Sequence, residues 1–150
     1  MIITFCGHGN FNKTEAFERI VLEILEDKIG DNTAEIYLGE YGDFDRFAYD
    51  CCQKYKNIHP NISLIFITPY ITEEYQKNHL IHQKKRFDAI IYPELEKVPL
   101  RFAISCRNKY MVDKSDIVIA YVNHKWGGAY QTYKYAKSKK KDIFNLAELN

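Results

Sequence analysis

The chain has 150 residues, 46% hydrophobic and 27% charged, which is enough for one compact domain with a proper core, too little for two, and unlike a disordered chain. Its 21 Lys and Arg stand against 20 Asp and Glu, and a net charge of +1 argues against a long-range field that would draw in nucleic acid. The opening "MIITFC" has neither the basic start nor the long apolar stretch of a secretion signal, and no apolar run approaches membrane-spanning length, so a cytoplasmic protein with no membrane partner is expected.

Five short runs rich in Ile, Val, Leu, Phe and Tyr read as strands: Ile2 to Phe5, Ala34 to Leu38, Ile62 to Thr68, Ile117 to Val122 and Ile143 to Leu146. They are nearly continuous in apolar character rather than alternating, as strands buried on both faces of a parallel sheet are. After the first run, Phe17, Ile20, Val21, Ile24 and Leu25 repeat at spacings of three and four, predicting a helix; Asn12 and Glu15 suggest its capping box and Gly30 its stop. After the second, Phe44, Phe47, Ala48, Cys51 and Tyr55 share one helical face, with Cys51 as core. The polar stretch 71–98 is too long for a simple connection and is expected to be a lid or an insertion with short elements. Ser105 is placed to cap a helix whose first turn carries Arg107 and Asn108 and whose inner face carries Tyr110 and Met111. A last helix follows Gly128, and Lys137, Lys139, Lys140 and Lys141 are placed to solvate its end, with a phosphate contact as the alternative.

Alternating strands and helices imply right-handed parallel crossovers, hence a three-layer α/β Rossmann-like domain over residues 1–150 with a mainly parallel sheet of about five strands. Four cysteines without CxxC spacing, two of them adjacent, fit reduced thiols; no metal or cofactor is expected. Homo-oligomerisation is left open.

In such a sheet, ligands bind beyond the carboxyl ends of the strands. The unusual segments fall there: "CGHGN" with Gly7 and His8, "LGEYGDFD" with Gly39, Tyr41 and Gly42, "TPY", and "NHKWGGAYQT" with Trp126, Gly127, Gly128 and Thr132. Gly127 and Gly128 before a helix suit either a bound phosphate or a plain tight turn. Trp126 is placed to stack on a base or cover the pocket. His8 serves as a base, a phosphate donor or a hydrogen-bonded turn residue. Arg107 at a helix start opposes the dipole, which points to an anion contact, with a surface salt bridge as the plainer alternative; Arg101 carries the same two readings. "GHGNFN" has two of the three glycines of a dinucleotide fingerprint, Glu40 is the one acidic residue near the second strand's end, and the chain has no P-loop.

Together, "FCGHGNF", "YLGEYGDFD", "PLRFAISCRN" and "WGGAYQTYKYA" resemble the SLOG superfamily, which includes the Lonely guy phosphoribohydrolases and the DprA-type DNA-processing proteins, and within it small bacterial SLOG proteins. The resemblance spans most of the chain and implies a Rossmann-like fold binding a nucleotide or nucleotide-derived ligand at this edge. It implies that Arg107 and Met111 match an Arg and Met of the Lonely guy site. The chain departs from that pattern after the glycine pair: Pro and a third Gly are missing, and Tyr133 and Lys134 stand where carboxylates would. Gly9 also stands where close relatives carry Arg. The expected function is a sensor or binding module whose ligand contacts are Gly7, His8, Gly39, Tyr41, Gly42, Arg107, Asn108, Trp126, Gly127, Gly128 and Thr132. The alternative is an N-glycoside hydrolase or transferase acting on nucleoside monophosphates, with Arg107 and a carboxylate from Glu40, Asp43 or Asp45 as catalytic candidates.

Overall fold

The computed structural model describes residues 1–149. Six strands, β1 (Ile2–Gly7), β2 (Ala34–Leu38), β3 (Ile62–Ile67), β4 (Ala89–Ile91), β5 (Ile117–Tyr121) and β6 (Asp142–Asn145), form one parallel sheet in the order β4-β3-β2-β1-β5-β6. This is the predicted α/β Rossmann-like architecture, with one strand more than the apolar runs showed.

Helix α1 (Glu15–Lys28) forms because Phe17, Val21 and Leu25 make one apolar stripe, each contributing about 1.5–3 kcal/mol on burial. Its cap is Thr14, whose hydroxyl accepts from the Phe17 N–H at 3.1 Å, and not the expected Asn12. Helix α2 (Asp43–Ile58) buries Phe44, Phe47, Ala48, Cys51, Cys52 and Tyr55, so Cys51 is core as read. The stretch 71–98 holds α3 (Glu73–Tyr75), a π-helical turn (Gln76–Leu80), α4 (Ile81–Arg86) and the edge strand β4. Helix α5 (Ala103–Lys114) is entered through a 3-10 turn (Leu100–Phe102) and capped at Phe102. Ser105 therefore lies inside the helix, and Arg107 sits in its second turn rather than its first. Helix α6 (Gly128–Ser138) follows β5.

Ile3, Phe5, Ile117 and Ile119 point into the core under α1 and α2, while the alternate residues Cys6, Val118 and Ala120 pack against Tyr133 and Ala136 of α6. The two helical layers lie on opposite faces because the chain runs outward from β1 to β4, then returns past β1 to β5. A right-handed crossover made in the reverse direction must lie on the reverse face. The return point between β1 and β5 opens a crevice at their carboxyl ends. All four cysteines are free thiols. No helix among the described residues is long and apolar enough to cross a membrane.

Candidate functional site

The crevice is a cleft of about 490 Å³ lined by the loops after β1, β2 and β5 and by α5 and the start of α6. Of the residues expected there, Gly7, His8, Tyr41, Asp45, Arg107, Asn108, Trp126, Gly127, Gly128 and Thr132 line it. Gly39, Glu40 and Gly42 do not.

Arg107 is 2% exposed, yet its partners are three neutral oxygens. Nη1 donates to the carbonyls of Gly39 at 3.0 Å and Ile67 at 2.7 Å, and Nε donates to the Asn108 side-chain oxygen at 2.9 Å. These bonds lock the guanidinium across the ends of β2 and β3 and leave Nη2 out of all of them. Burial weakens its hold on the proton and the nearby Asp45 carboxylate opposes this. A buried cation without an ion pair is costly, so the arrangement suits an anion arriving from the cleft. Gly39 serves it from behind: a Cβ there would lie 3.1 Å from the Arg107 Cζ.

Asp45, on the first turn of α2, is half-buried and accepts from the Tyr41 N–H at 2.7 Å. Desolvation pushes its pKa up to about 6, against the lowering pull of that hydrogen bond and of Arg107. Glu40 faces elsewhere, accepting from Arg86 Nη1 at 2.7 Å and Gln83 Nε2 at 3.0 Å, and Asp43 lies 3.8 Å from Arg46. Asp45 is thus the one of the three carboxylates that reaches the cleft.

Gly127 takes φ +92°, a conformation that side chains rarely adopt, and turns the chain into α6. No side chain caps this end, so the first N–H groups of α6 stay available beside Gly128 and Ala129 on the cleft wall. Space beside the Gly127 and Gly128 Cα atoms is open to 4 Å. Thr132 has its hydroxyl committed to the Gly128 carbonyl at 3.0 Å. Gly42 works one layer out, where φ +102° and the Gly9 Cα, 2.7 Å from where a Cβ would be, bring the β1 and β2 loops into contact.

Three rings stack along one wall. His8 lies 3.6 Å from His124 with the planes 12° apart, and His124 lies 3.8 Å from Trp126 at 19°. His8 Nε2 accepts from the Asn123 N–H at 3.1 Å; burial first and His124 second depress its pKa, so it is neutral at physiological pH. The His124 Nδ1 is buried and has no hydrogen-bond partner among the described residues. Trp126 remains 69% exposed at the end of the stack, a free aromatic surface. Sequence reasoning missed His124, although the His-x-Trp spacing in "NHKW" puts both rings on one side of an extended segment. Cys6 also lines the cleft, but burial pushes its thiol up to about 12, which makes it unreactive at neutral pH.

No family model and no curated protein sequence matches this chain. Solved structures do. DNA processing protein A from Helicobacter pylori, described for its single-stranded DNA binding mode, superposes with a TM-score of 0.64 at 18% identity over 97% of this chain. DNA processing protein A (DprA) from Streptococcus pneumoniae superposes with a TM-score of 0.65 at 15% identity over 95%. The chain spans 64% and 49% of the length of those two chains. The expectation against nucleic acid is overturned by the first of these matches. Its physical basis was also faulty, because net charge is a sum: residues 101–141 hold ten Lys and Arg against two Asp, and the remainder holds eleven against eighteen Asp and Glu. At these identities the fold is what the likeness shows, and by it the chain is a Rossmann-like α/β domain whose fold is similar to that of DNA processing protein A.

Proposed function

We propose that the cleft binds a nucleotide or nucleotide-derived ligand through its phosphate. The observation that carries this reading is the buried Arg107 fork, satisfied only by neutral oxygens and lining the same cleft as the uncapped start of α6. Two sources of positive potential, one a guanidinium and one a set of backbone donors, converge where the glycines leave room for an anion. Trp126, backed by the two imidazoles, offers a face for the base. Trp126 is also the sole tryptophan, so ligand stacking is read directly from intrinsic fluorescence. Titration with a panel of nucleoside monophosphates should quench it. Arg107→Ala should weaken binding about tenfold or more by loss of a charge-assisted hydrogen bond. An Arg107→Ala protein that is folded by circular dichroism and binds unchanged would remove Arg107 from the site.

A second reading, an N-glycoside hydrolase or transferase acting on nucleoside monophosphates, is favoured by Asp45. A carboxyl that titrates at about 6 inside a phosphate-binding cleft is poised to shift a proton or to face positive charge developing on a ribose. Chromatographic release of free base, lost in Asp45→Asn, supports this reading; stable binding without release over long incubation rejects it.

A further inference from the structure

The stack on the cleft wall leaves His124 with only its edge free. Its ring lies between His8, with the planes 12° apart, and Trp126, at 19°, so both faces are covered and a ligand meets it in the plane of the ring. That edge carries two nitrogens with different surroundings. Nδ1 is buried and has no hydrogen-bond partner among the described residues. Nε2 bonds to none of the described residues either, but it is open, and the half-buried ring lines the cleft together with Gly127 and Gly128.

A neutral imidazole has one N–H and one bare nitrogen. A proton on Nδ1 would bury a donor with no acceptor, and orphaned N–H groups are rarer in folded proteins than underused lone pairs. The ring is therefore held with its proton on Nε2, facing outward. His8 has the opposite arrangement: its Nε2 accepts from the Asn123 N–H at 3.1 Å, which leaves the proton of the neutral ring on Nδ1. Of the two stacked imidazoles, His124 is the one whose Nε2 is a free donor.

We propose that His124 is a fixed hydrogen-bond donor to the ligand's phosphate, its Nε2–H joining the donors of Arg107 and of the start of α6; the proposal rests on the phosphate reading of the cleft above. Geometry rules out the base as the partner. A base on the outer face of Trp126 lies parallel to His124 and one ring layer beyond, so its edge atoms stand outside the plane in which the Nε2–H points, and a hydrogen bond weakens steeply off that line. The phosphate end has no such bar. Gly127 and Gly128 follow His124 by three and four residues and bring the first N–H groups of α6 to the same cleft.

Calorimetric titration with inorganic phosphate and with uridine 5′-monophosphate tests this. His124→Phe keeps a ring in the stack and removes the donor; it should weaken both probes by about tenfold or more. His124→Gln loses the ring but keeps an N–H donor near the place of Nε2, and should hold both within about threefold of the parent. A role in stacking alone would give the reverse order, and that order overturns the proposal. In the ligand-free parent at about pH 8, above the usual imidazole range, long-range proton–nitrogen NMR should find the His124 proton on Nε2, and added phosphate should shift that signal. A proton on Nδ1 overturns the proposal without any variant. So does His124→Phe that binds phosphate as the parent does, including one that weakens the monophosphate alone, which would place the donor on the nucleoside. Each of these failures leaves the phosphate reading of the cleft intact. A parent protein that binds neither probe defeats that reading and this contact with it.

Discussion

Arg107 and Asp45 face one cleft from different elements, and each has a measurable signature. For Asp45 the folded pKa is about 6 against an ordinary 3.8, so the fold favours its protonated form. The folded state then holds more protons than the unfolded state between those values, and this group's contribution makes stability fall as pH rises from about 4 to 6. Above pH 6 the full penalty of the desolvated charge remains. Asp45→Asn should therefore be more stable than the parent at pH 7.5, by about 1–2 kcal/mol after allowance for partial solvent access. The gap should shrink to about a third of that at pH 4.5, as urea unfolding at the two pH values will show; an equal gap at both would mean the carboxylate is not desolvated. At this scale the sequence was informative about identity more than about partners. Arg107 stood out for its misfit with a helix start, although its true place is the second turn, and what singles it out is burial among neutral oxygens. Asp45, Glu40 and Asp43 were indistinguishable as letters, because only the pairing of Glu40 with Arg86 and of Asp43 with Arg46 separates them.

Among the elements, α2 is seated on the sheet by a contact that depends on a missing side chain. A Cβ on Gly7 would lie 2.3 Å from the Phe44 ring, which is fully buried and cannot swing away. Gly7→Ala should cost about 1–3 kcal/mol by overpacking, or roughly 2–12 °C in Tm for a chain of this size. Gly128→Ala should leave Tm unchanged or slightly raised, because the space beside its Cα is open and alanine is the better helix former. Thermal melts of both variants check this, and equal losses would contradict the packing described. The long helices were legible from three-and-four spacing because their cost and reward are local. Strand β4 was not, since three residues display no period; it exists because Ile65 pairs with Ala89 and Ile67 with Ile91 along an edge already built. The cap at Thr14 rather than Asn12 has the same origin, a choice among neighbours that only the entry path of the chain decides.

Over the whole molecule, the site joins positions from Gly7 to Thr132, far apart in the chain. A ligand there binds the folded state and has no counterpart in the unfolded one, so a bound nucleoside monophosphate should raise stability by about 2.7 kcal/mol at one hundred times its Kd. Scanning calorimetry at increasing ligand concentration should show Tm climbing with the logarithm of concentration; a flat response would exclude a site formed by these distant loops. The charge of the molecule is likewise divided by fold. The positive segment 101–141 carries α5 and α6 on one face of the sheet, and α1 on the opposite face carries five Asp and Glu against two Lys and Arg.

By itself the sequence determined the fold class, the two helices over one face and the set of loops that gather at one edge of the sheet. Apolar period, glycine placement and strand alternation are local signals, and local physics suffices to read them. The tertiary structure alone decided which carboxylate meets Arg107 and that His8, His124 and Trp126 stack. Those facts depend on distance and desolvation between segments that the chain brings together only after it has reversed direction at β1 and β5.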